Sequence, residues 1–137
     1  KVALIGCGGR GTGAASQALE ADPDVRLVAV ADVFEDRITE CLTSLNEKYP
    51  DSERININQE TSFLGFEGYK NAIDLADVVI LTTPPAFRPL HFEYAKFVPS
   101  KKIVKNTNTL LSVCIFPPIN CFFCIDDPIC ANLSNNL

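Results

Sequence analysis

The chain has no methionine, no tryptophan and a single histidine, His91, among its 137 residues. Each shortage excludes something. Without Met, Lys1 is not a translation start, so the sequence reads as a processed product or a fragment; nothing in it identifies a removed targeting segment. With one His, any imidazole acid or base has to act alone. Positive charge is scarce as well: 12 Lys and Arg face 17 Asp and Glu, for a formal charge of −5, with no basic stripe. That balance argues against nucleic acid and against an anionic membrane surface as partners. No apolar run reaches the roughly 18 residues of a transmembrane helix. A chain this long is expected to form one domain that buries about two-thirds of its unfolded surface, and a homo-oligomer stays open.

What is present is concentrated near the start. An apolar run, Val2-Ala3-Leu4-Ile5, leads into Gly6-Cys7-Gly8-Gly9-Arg10-Gly11, and a small-residue run (Ala14, Ala15, Ala18, Leu19) follows. Strand, glycine turn and helix in that order form the context of the dinucleotide-binding fingerprint G-x-G-x-x-G. Gly6 lets the chain leave the strand sharply. Gly8 has no Cβ, so a pyrophosphate can approach the backbone. Gly11 lets the helix pack close to the strand. The helix N-terminus then offers unpaired N–H groups to phosphate.

Residues 26–31 (RLVAVA) read as a second buried strand ending at Asp32, 21 residues after Gly11. That matches the offset of about 20 at which an acid accepts hydrogen bonds from the adenosine ribose. The same carboxylate repels a 2′-phosphate, which favours NAD over NADP. Arg10 and Arg37 are the groups that could still reach a phosphate. The competing reading is a glycine turn and a capping Asp in an unrelated α/β protein.

Further along, the spacing predicts a helix over 11–21 and a second helix after Asp32, with Glu35 and Asp36 in its first turn and Ile38, Leu42, Leu45 and Tyr49 on its buried face. Pro50 ends it, and residues 51–60 read as a polar surface loop. A short strand over 61–64, a helix through Asp74, a strand over 77–82 and a helix from Arg88 follow. The last of these carries an apolar face of Leu90, Tyr94 and Phe97, and residues 102–105 (KIVK) form a fifth strand. This alternation predicts an α/β fold, a doubly wound parallel sheet of Rossmann type over residues 1–105. An irregular apolar tail over 106–137 completes the chain. Right-handed crossovers bring the glycine loop and Thr82-Thr83-Pro84-Pro85 to one sheet edge, within reach of a common ligand. His91 is read either as a cofactor contact or as a helix-surface residue.

Four motifs together resemble one family: the glycine loop; Val30-Ala31-Asp32-Val33-Phe34-Glu35-Asp36-Arg37; Gly65-Phe66-Glu67-Gly68-Tyr69-Lys70; and the strand 77–82 with Thr83-Pro84-Pro85, Phe87-Arg88-Pro89 and His91. Over residues 1–96 the chain is similar to the nucleotide-binding domain of the glucose–fructose oxidoreductase, inositol dehydrogenase and rhizopine-catabolism (Gfo/Idh/MocA) family. The resemblance implies an NAD(P)-dependent oxidoreductase acting on sugars, cyclitols or their derivatives, or an NAD-dependent glycosidase. It implies that Gly6, Gly8 and Gly11 hold the pyrophosphate and Asp32 the ribose, with Thr83 and Pro84 along the nicotinamide. The expected dinucleotide-binding set is Gly6, Cys7, Gly8, Gly9, Arg10, Gly11, Asp32, Arg37, Thr82, Thr83, Pro84, Pro85 and His91.

The chain also departs from that family. Where its Glu-Lys-Pro motif is expected after the fifth strand, this sequence has Asn106-Thr107-Asn108. Thr107 takes the Lys position, and Lys105 lies two residues early, a displacement of about 7 Å along a strand. The family's substrate domain has no counterpart here, so no catalytic residue is assigned. The expectation is therefore an NAD-binding domain of such an oxidoreductase, not fully active by itself. The alternative is a non-catalytic NAD-binding regulatory or interaction module. Cys7 and Cys41 read as free buried thiols in a reducing, cytoplasmic setting. Cys114, Cys121, Cys124 and Cys130 crowd the tail, where a zinc site, a disulfide or an altered apolar extension are the open readings.

Overall fold

A computed structural model describes residues 1–50, 53–98 and 102–105. The tail and its four cysteines lie outside the described residues. The elements alternate along the chain: β1 (Val2–Ile5), α1 (Gly9–Ala21), β2 (Leu27–Asp32), α2 (Glu35–Lys48), β3 (Ser62–Leu64), α3 (Gly68–Leu75), β4 (Val78–Leu81), α4 (Arg88–Phe97) and β5 (Lys102–Lys105). The strands form one parallel sheet in the order β3-β2-β1-β4-β5. The expected doubly wound α/β fold is what the chain adopts.

The central strands are apolar because both of their faces are covered. Side chains alternate across a strand, so Val2 and Leu4 join one core while Ala3 and Ile5 join the other. The first core holds Ala14, Ala15, Ala18 and Leu19 of α1 and Ile38, Cys41 and Leu45 of α2. The second holds Tyr69, Ala72 and Ile73 of α3 and Ala95 of α4. Leu4, Ile73, Ile80 and Leu81 are fully buried, and each such side chain contributes about 1.5–3 kcal/mol of transfer free energy.

Three expectations are corrected. Helix α1 begins at Gly9, so Gly11 lies inside its first turn. Residues 53–60 are not simply solvated. The Leu27 N–H donates to the Arg54 carbonyl (2.8 Å), the Asn56 N–H donates to the Leu27 carbonyl (3.0 Å), and Ile55 and Ile57 pack on the first core. Helix α4 does not bury Leu90 and Phe97, which are 54% and 78% exposed; it buries His91 and Ala95. The small Ala95 lets the helix approach the sheet, and His91, four residues earlier, shares that face. Among the described residues no helix is long and apolar enough to cross a membrane.

Candidate functional site

The sheet order reverses between β1 and β4, the place where open α/β sheets bind ligands at the carboxyl ends of their strands. A cleft of about 400 Å³ opens there. Its floor is the glycine turn, which is stitched to both neighbouring strands. The Gly6 N–H donates to the Ala31 carbonyl of β2 (2.8 Å), and the Thr82 N–H donates to the Ile5 carbonyl (2.9 Å). The Thr82 hydroxyl lies 2.7 Å from the Gly6 carbonyl and 3.1 Å from that of Ile5.

The three fingerprint glycines differ in what surrounds them. Gly6 has φ +97°, and a Cβ there would press within 2.9 Å of the Thr83 nitrogen. A Cβ on Gly11 would stand 1.9 Å from the Gly6 carbonyl oxygen, so α1 touches the turn directly. A Cβ on Gly8 would meet nothing within 4 Å. Two of the glycines are therefore required by packing, and the third faces open space. Gly8 is also the N-cap of α1, without a side-chain cap and with no acid in the first turn. The N-terminal N–H groups of this 13-residue helix therefore have no side-chain cap.

Asp32 stands at the end of β2, beside this turn. One carboxylate oxygen accepts the Cys7 N–H at 2.6 Å, and the other accepts the Phe34 N–H at 3.1 Å. Each oxygen keeps a lone pair for a further donor. Arg37 lines the mouth one helical turn on, and its guanidinium lies 3.8 Å from the Glu40 carboxylate.

On the β4 side, Thr83 is held from two directions. Arg88 Nε donates to its carbonyl at 2.6 Å, and His91 Nδ1 lies 3.1 Å from its hydroxyl. His91 is only 6% exposed, with the Tyr69 ring centred 4.3 Å away. Burial pushes its pKa below the usual imidazole range, so the neutral ring is favoured. This corrects the reading of His91 as a helix-surface residue.

The cleft brings together Gly6, Gly8, Asp32, Arg37, Thr82, Thr83, Pro84 and His91 from the expected set. Cys7, Gly9, Arg10, Gly11 and Pro85 do not line it. Cys7 offers only its backbone, since its side chain is buried in the first core. Gly11 is covered by the turn, and Arg10 is exposed. Sequence reasoning gave no role to Phe34, Phe66, Tyr69 and Phe87, which wall the cleft. The available signal was positional: Phe34, Phe66 and Phe87 each fall in a loop that leaves the carboxyl end of a strand.

Chemically, the cleft offers apolar aromatic walls, an open glycine amide corner, one carboxylate and a buried neutral imidazole. Among the described residues, no three His, Cys, Asp or Glu side chains are grouped to hold a metal ion. No family model matches the chain, and no curated protein or solved structure matches it significantly.

Proposed function

We propose that the cleft binds a dinucleotide, NAD in preference to NADP, and that the chain is the nucleotide-binding part of an oxidoreductase of the Gfo/Idh/MocA type acting on sugars, cyclitols or their derivatives. The observation that carries this reading is the division of labour at the turn. Gly6 and Gly11 are explained by contacts within the protein, whereas Gly8 is not: its missing Cβ leaves room against the free N-terminus of α1. A pyrophosphate needs both that room and those N–H groups. Asp32, bonded to the same turn, then lies beside the adjoining ribose and disfavours a 2′-phosphate.

A second reading, a non-catalytic NAD-binding module, is favoured by His91. The one imidazole of the chain is buried, bonded to Thr83 and packed on Tyr69. Its Nδ1 is engaged with the Thr83 hydroxyl, so the ring supports Thr83 at the cleft wall.

Calorimetric titration of the full chain with NAD and with NADP tests the assignment. NAD is expected to bind and NADP to bind more weakly. Asp32→Asn keeps one side-chain acceptor for the turn and removes the charge, so it is expected to narrow the difference between the two. Absence of NAD binding up to roughly millimolar concentration, about 4 kcal/mol of binding free energy, overturns the nucleotide reading. Turnover of NAD with a panel of sugars and inositols decides between the two readings.

A further inference from the structure

Behind the glycine turn, on the sheet face that α1 and α2 cover, two cysteines meet. Cys7 sits between Gly6 and Gly8 and turns its side chain inward, 2% exposed, with its sulfur 3.7 Å from the Ala31 carbonyl. Cys41 projects from α2 and is 1% exposed. The two side chains belong to the same core cluster, and the two thiols influence each other's ionisation. Neither is in a disulfide. Both line a second cavity of about 350 Å³ between α1 and α2, bordered by Thr12, Ser16 and Lys48. Both residues contribute to the wall of that cavity, the side from which a small solute would approach them.

We propose that Cys7 and Cys41 form an oxidation site, in which a peroxide converts the thiol pair into a disulfide that ties the glycine turn to α2. The neighbourhood is asymmetric. The neighbouring Cys7 and Thr12 side chains pull the Cys41 thiol below its ordinary range, against its burial, so of the two it is the readier to react as thiolate. The neighbouring Cys41, burial and the charge of Asp32 push Cys7 up, so it stays the protonated partner. The Cys41 thiolate attacks one peroxide oxygen; an S–O bond forms, the O–O bond breaks, and the departing hydroxide takes a proton to become water. The Cys7 sulfur then attacks the Cys41 sulfenic acid; the S–S bond forms, the S–O bond breaks, and hydroxide leaves with the Cys7 proton as a second water. Two thiols are oxidised by two electrons, and one peroxide is reduced to two waters. The cross-link does not depend on what the cleft binds.

Tryptic mapping tests this on the full chain. Cleavage after Lys1, Arg10, Arg37 and Lys48 puts Cys7 in peptide 2–10 and Cys41 in peptide 38–48. The four tail cysteines lie beyond Lys105 in a separate peptide. The folded chain is treated with hydrogen peroxide, its remaining thiols are alkylated, and circular dichroism confirms that it stays folded. The expected product is peptide 2–10 joined to 38–48, two hydrogens lighter than their sum and lost on reduction with dithiothreitol. Recovery of both peptides singly alkylated overturns the proposal. So does a link that forms only in guanidinium, or one that joins either peptide to the tail.

Discussion

Two glycines three residues apart in one turn are predicted to fail in opposite ways. Gly11→Ala drives a methyl group into the Gly6 carbonyl, a backbone atom that cannot rotate aside. Helix α1 has to shift off the sheet, and we expect a loss of about 2–3 kcal/mol or more, as for other overpacked sites, read as a lower denaturant midpoint. Gly8→Ala adds the same methyl group in open space and should leave that midpoint within about 1 kcal/mol, the usual range for an N-cap exchange. Its cost falls on the ligand instead: NAD affinity should drop by about tenfold or more, roughly 1.4 kcal/mol. Unchanged affinity in folded Gly8→Ala would show that no phosphate lies against that backbone.

At the scale of elements, α4 links the cleft to the second core through His91. Its pKa is depressed in the fold by burial, so the neutral form is the one the structure selects. A depressed pKa contributes stability that is present above the ordinary value of 6.5 and is lost as the pH falls through the folded value. Thermal midpoints should therefore decline between neutral and mildly acidic pH, and His91→Gln should flatten that part of the profile. An identical profile in the variant would remove His91 from the balance. The fingerprint glycines, Asp32 and the β–α alternation were legible in the sequence because each is a local signal: a turn, a charge at a strand end, an apolar run. The burial of His91 was not. Leu90, Tyr94 and Phe97 suggested the inward face of α4, but Ala95 allows closer approach, and the Thr83 hydroxyl satisfies a buried imidazole nitrogen. Likewise Cys7 is the central residue of the turn in sequence, yet its side chain belongs to the first core: the positive φ of Gly6 breaks the alternation of β1 and puts Cys7 on the face of Val2 and Leu4 instead of that of Ala3 and Ile5. The pairing of Ile55 with Leu27 needed the sheet edge to exist before it could be seen.

For the molecule as a whole, the cleft straddles two halves that fold on opposite sides of the β1–β4 boundary. Gly8 and Asp32 come from the first β-α-β unit, Thr83 and Pro84 from the β4–α4 connection, and His91 from α4. A ligand confined to the first half grips one unit, while a full dinucleotide spans both and resists their separation. Any ligand that binds only the folded chain stabilises it by mass action, by about 2.7 kcal/mol at a hundred times its dissociation constant. For a domain of this size that corresponds to a rise in Tm of about 10 °C. At equal concentration, AMP should therefore raise Tm least, ADP-ribose more and NAD most, the last increment reporting contacts near Thr83. Because the formal charge is −5 and, among the described residues, Arg37 is the one cationic side chain lining the cleft, the phosphates of a bound dinucleotide would be held mainly by backbone N–H groups. The shifts should accordingly survive added salt better than those of a site built from Lys and Arg, whose attraction is screened within about 10 Å at 0.1 M. Equal shifts from AMP and NAD would confine the ligand to the Gly8–Asp32 side and detach Thr83, Pro84 and His91 from its binding.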